Sequence, residues 1–446
     1  MELQNDLYSK VVKLNSYTIE YKNINLLSLS QVFIFELSLK RLSSKTPLHL
    51  LKRLSLDNYI KSFLTIRLKS RKLDRSCEFL IVNDVYNQGM ISNLRRVKDK
   101  LKSGHLEIIC DRRIKTNDNY ILFRFFNFRR FFFDFVTGMK LCVRNFNVIK
   151  SVSSEFKINK YLLFLNLIES IYILNCSKGL LTELPNLKKA ILNSDIHKVS
   201  KALSLTAQKN GVKTYVIQHG TTVLEYGYLP VSADYVFTWG ELSNKWFIER
   251  GTDSKKLIIT GTPKMDLFKT KEVNKEKAKD IENILVVVNP IGESSLNEFF
   301  NIIYNSKIHL NYNLSIKLHP GSVDNKKTLF EYYSENQVKI YKNENIHDLI
   351  KHNDLVIMTT STVGSEAIAF YKPLIKIEIY DINVVLDFDF FNCSHNISNA
   401  QDLIELITNQ EKVYSKIDNY ENYLDKYFYK LDGMSSHRII KHLIEN

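Results

Sequence analysis

Short apolar runs, each stopped by a polar or glycine-containing turn and followed by a helical pattern, constrain this chain more than any other feature. They include Cys77–Val82 (CEFLIV), Leu106–Cys110, Lys188–Leu192, Lys213–Ile217, Tyr235–Trp239 and Leu257–Thr260. A second series follows: Ile284–Val288, Ser315–Leu318, Val338–Tyr341, Asp354–Met358 and Pro373–Ile379. Runs of four to seven residues without polar alternation read as strands buried on both faces, and such strands belong to parallel sheets. Alternation with helical stretches such as Met90–Leu101, Ile158–Leu174, Ile196–Lys209, Glu241–Arg250 and Ser294–Tyr304 predicts doubly wound α/β architecture.

The rhythm occurs twice. At 446 residues the chain is long for one domain. Its composition shifts to Lys, Glu, Asp and Asn between Phe268 and Glu282, as a linker does. Residues 1–75 read as a helical N-terminal region, 76–267 as one Rossmann-like domain and 268–282 as the linker. Residues 283–410 then form a second Rossmann-like domain and 411–446 the C-terminal helices. Two facing doubly wound domains with a C-terminal helix crossing back describe the GT-B architecture, which is the expected fold.

In open parallel sheets ligands bind beyond the carboxyl ends of the strands. Two strands of the second series end in chemistry suited to an anion. One runs into His319-Pro320-Gly321, the other into Thr359, Thr360, Ser361 and Thr362 ahead of a helix starting near Val363. Free N–H groups at a helix start, flanked by hydroxyls, attract phosphate. Glu366, one turn in, is placed to hold ribose hydroxyls. In the first series, Lys213–Ile217 ends in Gln218-His219-Gly220-Thr221-Thr222. Lys317 precedes His319 and is expected in the cover of the sheet, whereas His309, His347 and His352 read as surface residues.

Charge and cysteine content narrow the function. Of 62 Lys+Arg and 48 Asp+Glu, residues 1–150 hold 28 and 13, so the remainder is near neutrality at 34 against 35. A basic first third favours an anionic surface or substrate. Residues 120–136 (YILFRFFNFRRFFFDFV) set nine aromatics among three arginines. They read as a core helix with snorkelling arginines, as an interfacial helix on anionic lipid, or as a base-stacking surface. Five scattered cysteines without CxxC spacing point to a reducing compartment and away from a zinc site. Neither a leader pattern nor a run of about 18 apolar residues is visible, so a cytoplasmic location is expected. No nucleic-acid-binding motif is present.

Taken in order, TYVIQHGTT, YLPVSADYVFTWGELSNKWFIERG, LIITGTPKMD, IKLHPG, STVGSEAIAFYKPLI and LDGMSSHRI resemble bacterial surface-polysaccharide glycosyltransferases over residues 185–440. The similar families are capsule transferases, polysialyltransferases and the CDP-glycerol glycerophosphotransferases of teichoic acid synthesis. The resemblance implies an acceptor domain at 76–267 and a nucleotide-donor domain at 283–410. It implies that His319, Ser361, Thr362 and Thr360 hold the donor phosphate. Glu366, with Gly364 and Pro320, would contact ribose and nucleotide, and His219 would be the catalytic base. The paired acidic residues before glycine that serve as base in polysialyltransferases are not evident, which argues against a sialic-acid polymer.

The expected reaction is inverting transfer from a CMP-, UDP- or CDP-linked donor to a saccharide or lipid-linked acceptor, in capsule or cell-surface polysaccharide synthesis. An anionic membrane surface is a further expected partner, and no cofactor or metal is expected. Asp387-Phe388-Asp389 has metal-binding spacing but follows the sheet rather than preceding a catalytic strand end. A helix N-terminus, hydroxyls and an imidazolium can stabilise the leaving phosphate instead. A histidine titrating near neutrality suits the base, with Glu225 and Asp195 next in line. The alternatives are an alditol-phosphate transferase and a nucleotide-sugar 2-epimerase-like enzyme.

Overall fold

A computed structural model describes residues 2–40, 75–84, 88–101, 104–109, 120–122, 131–222, 225–266, 280–289, 291–319, 338–379 and 386–446. The chain divides into two compact units. Unit 1 comprises Met1–Trp239, Ser243–Leu267 and Gly433–Asn446, and unit 2 comprises Gly240–Leu242 and Phe268–Asp432.

Unit 1 opens with the helices Glu2–Asn15 and Gln31–Lys40 and a two-stranded ribbon, β1 (Glu20–Tyr21) with β2 (Ile24–Asn25). Its main sheet is built from β3 (Phe79–Asn83), β4 (His105–Ile109), β5 (Tyr120–Leu122), β6 (Lys189–Leu192), β7 (Lys213–Ile217), β8 (Tyr235–Thr238) and β9 (Leu257–Ile259). All seven are parallel, in the order β5-β4-β3-β6-β7-β8-β9.

Alternate side chains of these strands point to opposite faces, and both faces are buried, so the runs carry no polar alternation. Leu80, Val82, Leu106, Ile108, Ala190 and Leu192 pack into a core shared with the helices Phe131–Arg144, Lys160–Thr182 and Lys198–Lys209. Ile81, Ile191, Tyr215, Ile217 and Phe237 face the other way, against Leu94 and Val97 of the helix Gln88–Lys98 and Ile439 and Leu443 of the last helix, Ser435–Glu445.

That last helix returns to unit 1, as the sequence rhythm predicts. Its entry is held by Asp266, whose two carboxylate oxygens accept from the Ser435 and Ser436 N–H groups at 2.9 Å each. One turn on, Arg438 Nε donates to the Thr260 carbonyl at 2.8 Å.

Unit 2 holds β10 (Asn283–Val287), β11 (Asn313–Lys317), β12 (Lys339–Tyr341), β13 (Leu355–Met358), β14 (Leu374–Ile377) and β15 (His395–Ile397). These too are all parallel, ordered β12-β11-β10-β13-β14-β15. In both sheets the chain starts in the interior, builds to one edge, then returns and builds to the other. The direction reverses between β3 and β6 in unit 1 and between β10 and β13 in unit 2.

One expected element is different. The aromatic–arginine run at 120–136 is not a single helix: Tyr120–Leu122 is the edge strand β5, and a helix begins at Phe131. Residues 123–130, most of the linker 268–282, Pro320 and the helix expected at 325–336 lie outside the described residues.

Candidate active site

In unit 2 the reversal point is bounded by the ends of β10 and β13. Asn289, just past β10, donates from Nδ2 to Thr360 Oγ1 just past β13, at 3.3 Å. Thr359 is buried, and its hydroxyl makes no hydrogen bond among the described residues. A buried hydroxyl without a partner is costly, so its presence beside a strand end favours a polar ligand.

Ser361 Oγ accepts from the Val363 N–H at 3.2 Å, and its carbonyl accepts from the Gly364 N–H at 3.2 Å. Ser361 thus starts the turn into the helix Val363–Ala369, while Thr362 is exposed and its hydroxyl forms no cap bond. His319 is exposed just beyond β11, on the far side of β10 from this turn. Neighbouring strands lie about 4.8 Å apart, so the two strand ends are roughly 10 Å apart, a span fitting a diphosphate.

The protonation of His319 departs from expectation. Crowding by its surroundings and then the Lys317 ammonium push its pKa down. The ring is therefore mainly neutral at pH 7. Lys317 itself is turned away, donating to the carbonyls of Lys342 at 2.5 Å and Leu318 at 3.3 Å.

Two other residues of the expected set have structural partners. A Cβ on Gly364 would stand 2.6 Å from Met358 Cε and 2.8 Å from Phe388 Cε1, so packing of the helix against the sheet requires the glycine. That packing gives the glycine a structural reason of its own beside the expected nucleotide contact. Glu366 is buried, with Oε2 at 2.9 Å from His347 Nε2. His347 is consequently no surface bystander: it comes from the helix Ile346–Lys351, and its ring also meets Phe370 at 5.5 Å.

The acidic pair of Asp387 and Asp389 is likewise internal. Asp389 Oδ2 binds Lys376 Nζ at 2.6 Å and the Leu386 N–H at 2.9 Å, and Oδ1 accepts from Ser394 Oγ at 3.1 Å. Burial and the neighbouring Asp389 charge raise Asp387 to about 6.

In unit 1, β7 leads into Gln218 and His219. Gln218 is a fastener: its Oε1 accepts from the Trp239 N–H at 2.9 Å, its carbonyl accepts from Trp239 Nε1 at 3.0 Å, and its Nε2 donates to the Gly220 carbonyl at 2.9 Å. The next residue, His219, lies flat on Tyr228, ring centroids 4.6 Å apart and 7° from parallel. Tyr228 is braced by the edges of Trp246 and Phe247 and donates to the Thr221 carbonyl at 3.2 Å.

Part of the His219 residue stays open, yet it is enclosed on most sides. Burial first, and the proximity of His197 second, lower its pKa to about 4. The imidazole is neutral at pH 7 and ready to accept a proton, but it is a weaker base than one titrating near neutrality.

The same strand ends gather residues that spacing in the sequence could not connect. Asp84, beyond β3, accepts from the Ser200 N–H at 3.1 Å, and burial raises its pKa against the opposing effect of His197. His197 precedes the helix Lys198–Lys209 and so influences both Asp84 and His219. Asn83 donates to Glu107, which also binds Lys98 at 3.0 Å.

The two reserve bases are already engaged. Asp195 Oδ2 accepts from the Ser232 N–H at 2.6 Å, the Ala233 N–H at 3.0 Å and Ser232 Oγ at 3.2 Å. Glu225 is buried and binds Arg250 Nε at 3.0 Å. Both carboxylates hold loops in place, which leaves His219 as the partly open, unprotonated group at this strand end. Beside Asp195, Lys201 is buried, and its pKa falls to about 8 because desolvation outweighs the carboxylate.

No protein-family model matches the sequence, and no curated protein matches it. Solved structures do. A UDP-GlcNAc 2-epimerase from Neisseria meningitidis bound to UDP-GlcNAc aligns with a TM-score of 0.51 and 17% identity, over 82% of this chain and 99% of the other. A putative UDP-N-acetylglucosamine 2-epimerase from Listeria monocytogenes gives 0.53 and 13%, over 82% and 97%. A single-residue variant of the wall teichoic acid polymerase TagF covers 93% of this chain and 99% of its own at 12% identity, with a TM-score of 0.48. This chain has the two-domain Rossmann-like GT-B fold. At these identities the likeness speaks for the fold and not for the reaction.

Proposed function

We propose that the chain is an inverting, metal-independent glycosyltransferase that uses a nucleotide-activated sugar in the synthesis of a capsule or other cell-surface polysaccharide. The observation that carries the reading is the reversal point of unit 2. There Asn289 and Thr360 bond across the gap, Thr359 keeps a buried hydroxyl with no partner among the described residues, and a helix start follows. Such a crevice suits the phosphates of a nucleotide.

In this reading Thr360, Ser361, Thr362 and His319 hold the donor phosphate. Glu366, steadied by His347, takes the ribose hydroxyls, and Pro320 completes the turn beside His319. His219 of unit 1 accepts the proton of the acceptor hydroxyl. The acceptor oxygen bonds to the anomeric carbon as the bond from that carbon to the phosphate oxygen breaks. The nucleoside phosphate departs with the electron pair, and the anomeric centre inverts. Metal independence rests on Asp389 being held by Lys376, the Leu386 N–H and Ser394, and on burial disfavouring the charged form of Asp387. The acceptor is a saccharide or a lipid-linked saccharide, met on the cytoplasmic side.

A 2-epimerase-like reaction is the second reading, since two of the similar folds belong to proteins named as UDP-GlcNAc 2-epimerases. Transfer of an alditol phosphate from a CDP-linked donor is a variant of the first. One experiment separates them: UDP-, CMP- and CDP-linked donors are followed by NMR with and without a saccharide acceptor, each with and without EDTA. The proposal expects the nucleotide to be released at an acceptor-dependent rate that EDTA leaves unchanged. Interconversion of C2 epimers without acceptor would establish the second reading, and a requirement for added Mg²⁺ or Mn²⁺ would overturn metal independence.

A further inference from the structure

The helix Phe131–Arg144 buries one face in unit 1 through Asp134, Gly138 and Cys142, spaced four residues apart. Gly138 allows close contact there, since a Cβ would stand 3.1 Å from Ile168. Asp134 Oδ1 accepts from Asn175 Nδ2 at 2.7 Å, which fixes the helix's rotation. A helix lying on a domain surface ordinarily turns polar residues to the opposite side. This one does not.

Phe132, Val136, Met139 and Val143 follow at intervals of four, three and four, the spacing of a single helical stripe, and they point away from the core. Phe132 is 71% exposed and Val143 63%, with Phe133 at 72% beside them. The apolar surface continues into the next helices through Phe146 and Tyr161, the latter 64% exposed. Lys160 ties the two together, its ammonium 5.5 Å from the Phe146 ring and 5.2 Å from the Tyr161 ring. Large contiguous apolar surfaces of this kind mark a docking site.

Charge identifies what docks. From residue 131 to 165 the basic residues are Lys140, Arg144, Lys150, Lys157 and Lys160, against Asp134 and Glu155. Asp134 is buried, and Glu155 is bound by Lys13 at 2.6 Å. The exposed charge flanking the stripe is thus almost wholly positive. An apolar stripe edged by lysine and arginine matches an anionic bilayer surface, with aromatics entering the acyl boundary and ammonium groups staying among headgroups. Among the described residues no helix is long and apolar enough to cross a membrane, so the contact would lie along the surface.

We propose that this face of unit 1 seats the protein on an anionic lipid bilayer. Lipid contact is one of the three sequence readings of the run 120–136; its residues 123–130 lie outside the described ones, and the face begins just after them. The inference does not depend on the donor chemistry, because the test uses no substrate.

The full-length protein is sedimented with vesicles of phosphatidylcholine, or of phosphatidylcholine and phosphatidylglycerol at 3:1, over a range of salt. Wild type, F132S/V143S and K140E/R144E are compared, each first matched for melting temperature. The wild type should bind the anionic vesicles at low salt and detach as salt rises. Losing two inserted side chains should weaken partitioning about tenfold or more at every salt concentration. The charge reversal should act mainly at low salt. A further variant, Phe132→Trp, should show blue-shifted emission with anionic vesicles. Equal partitioning of all forms, no vesicle binding by wild type, or a wild-type dimer that F132S/V143S converts to monomer would overturn the proposal; the last result would assign the face to a second copy.

Discussion

At the residue scale, the sharpest difference between expectation and structure is the state of the histidines. A strand-end histidine in a sequence suggests a group titrating near neutrality, but its pKa is set by neighbours that only the fold assembles. Burial, to which Tyr228 stacked under the ring contributes, and then the proximity of His197 from another loop bring the ring of His219 to about 4. The unfolded chain titrates this ring near 6.5, so between roughly pH 6.5 and 4 the unfolded state binds more protons than the folded one. Stability is therefore complete with respect to His219 above pH 6.5 and falls as pH drops toward 4. His219→Gln should flatten that part of the urea-unfolding profile, and an unchanged slope between pH 6.5 and 4 would contradict the burial. The same substitution should lower transfer by about 10²–10⁴ while leaving nucleotide affinity nearly intact, as loss of a general base does; wild-type turnover would place the base elsewhere.

At the element scale, what was legible in the sequence was what short-range pattern determines. The continuous apolar runs identified the parallel strands, and the polar residues ending them identified His319, Ser361 and His219 as strand-end groups. Pairings across long stretches of chain were not legible. Asn289 with Thr360, His347 with Glu366 and Asp84 with Ser200 each join residues from separate strand–helix units. The run at 120–136 misled because aromatic density carries no period of its own. The packing role of Gly364 was not legible either, because a glycine at a turn and a glycine under a methionine and a phenylalanine look alike in sequence.

The terminal helix offers a test at this scale. Asp266 meets both leading N–H groups of Ser435–Glu445 from outside the helix and so serves as its cap. Asp266→Ala should cost about 0.5–2 kcal/mol, as removal of a capping carboxylate does. An unchanged urea midpoint with unchanged slope would show that packing of Ile439 and Leu443 alone holds the helix.

At the scale of the whole molecule, two parallel sheets each reverse direction once, and each reversal gathers polar residues at its carboxyl edge. On the proposed function, the reversal in unit 2 binds a nucleotide. The direct measurement is calorimetric titration of the full-length protein with UDP, CDP, CMP and GDP, repeated with His319→Ala at pH 6 and pH 8. At least one nucleotide should bind the wild type. Because His319 must gain a proton to meet phosphate charge, binding should be tighter at pH 6 than at pH 8. Loss of that charge-assisted hydrogen bond, about 1.5–3 kcal/mol, should weaken the variant roughly ten- to a hundredfold at pH 6 and remove much of the pH dependence. A folded wild type that binds none of the four, or a variant with wild-type affinity at both pH values, would contradict the claim.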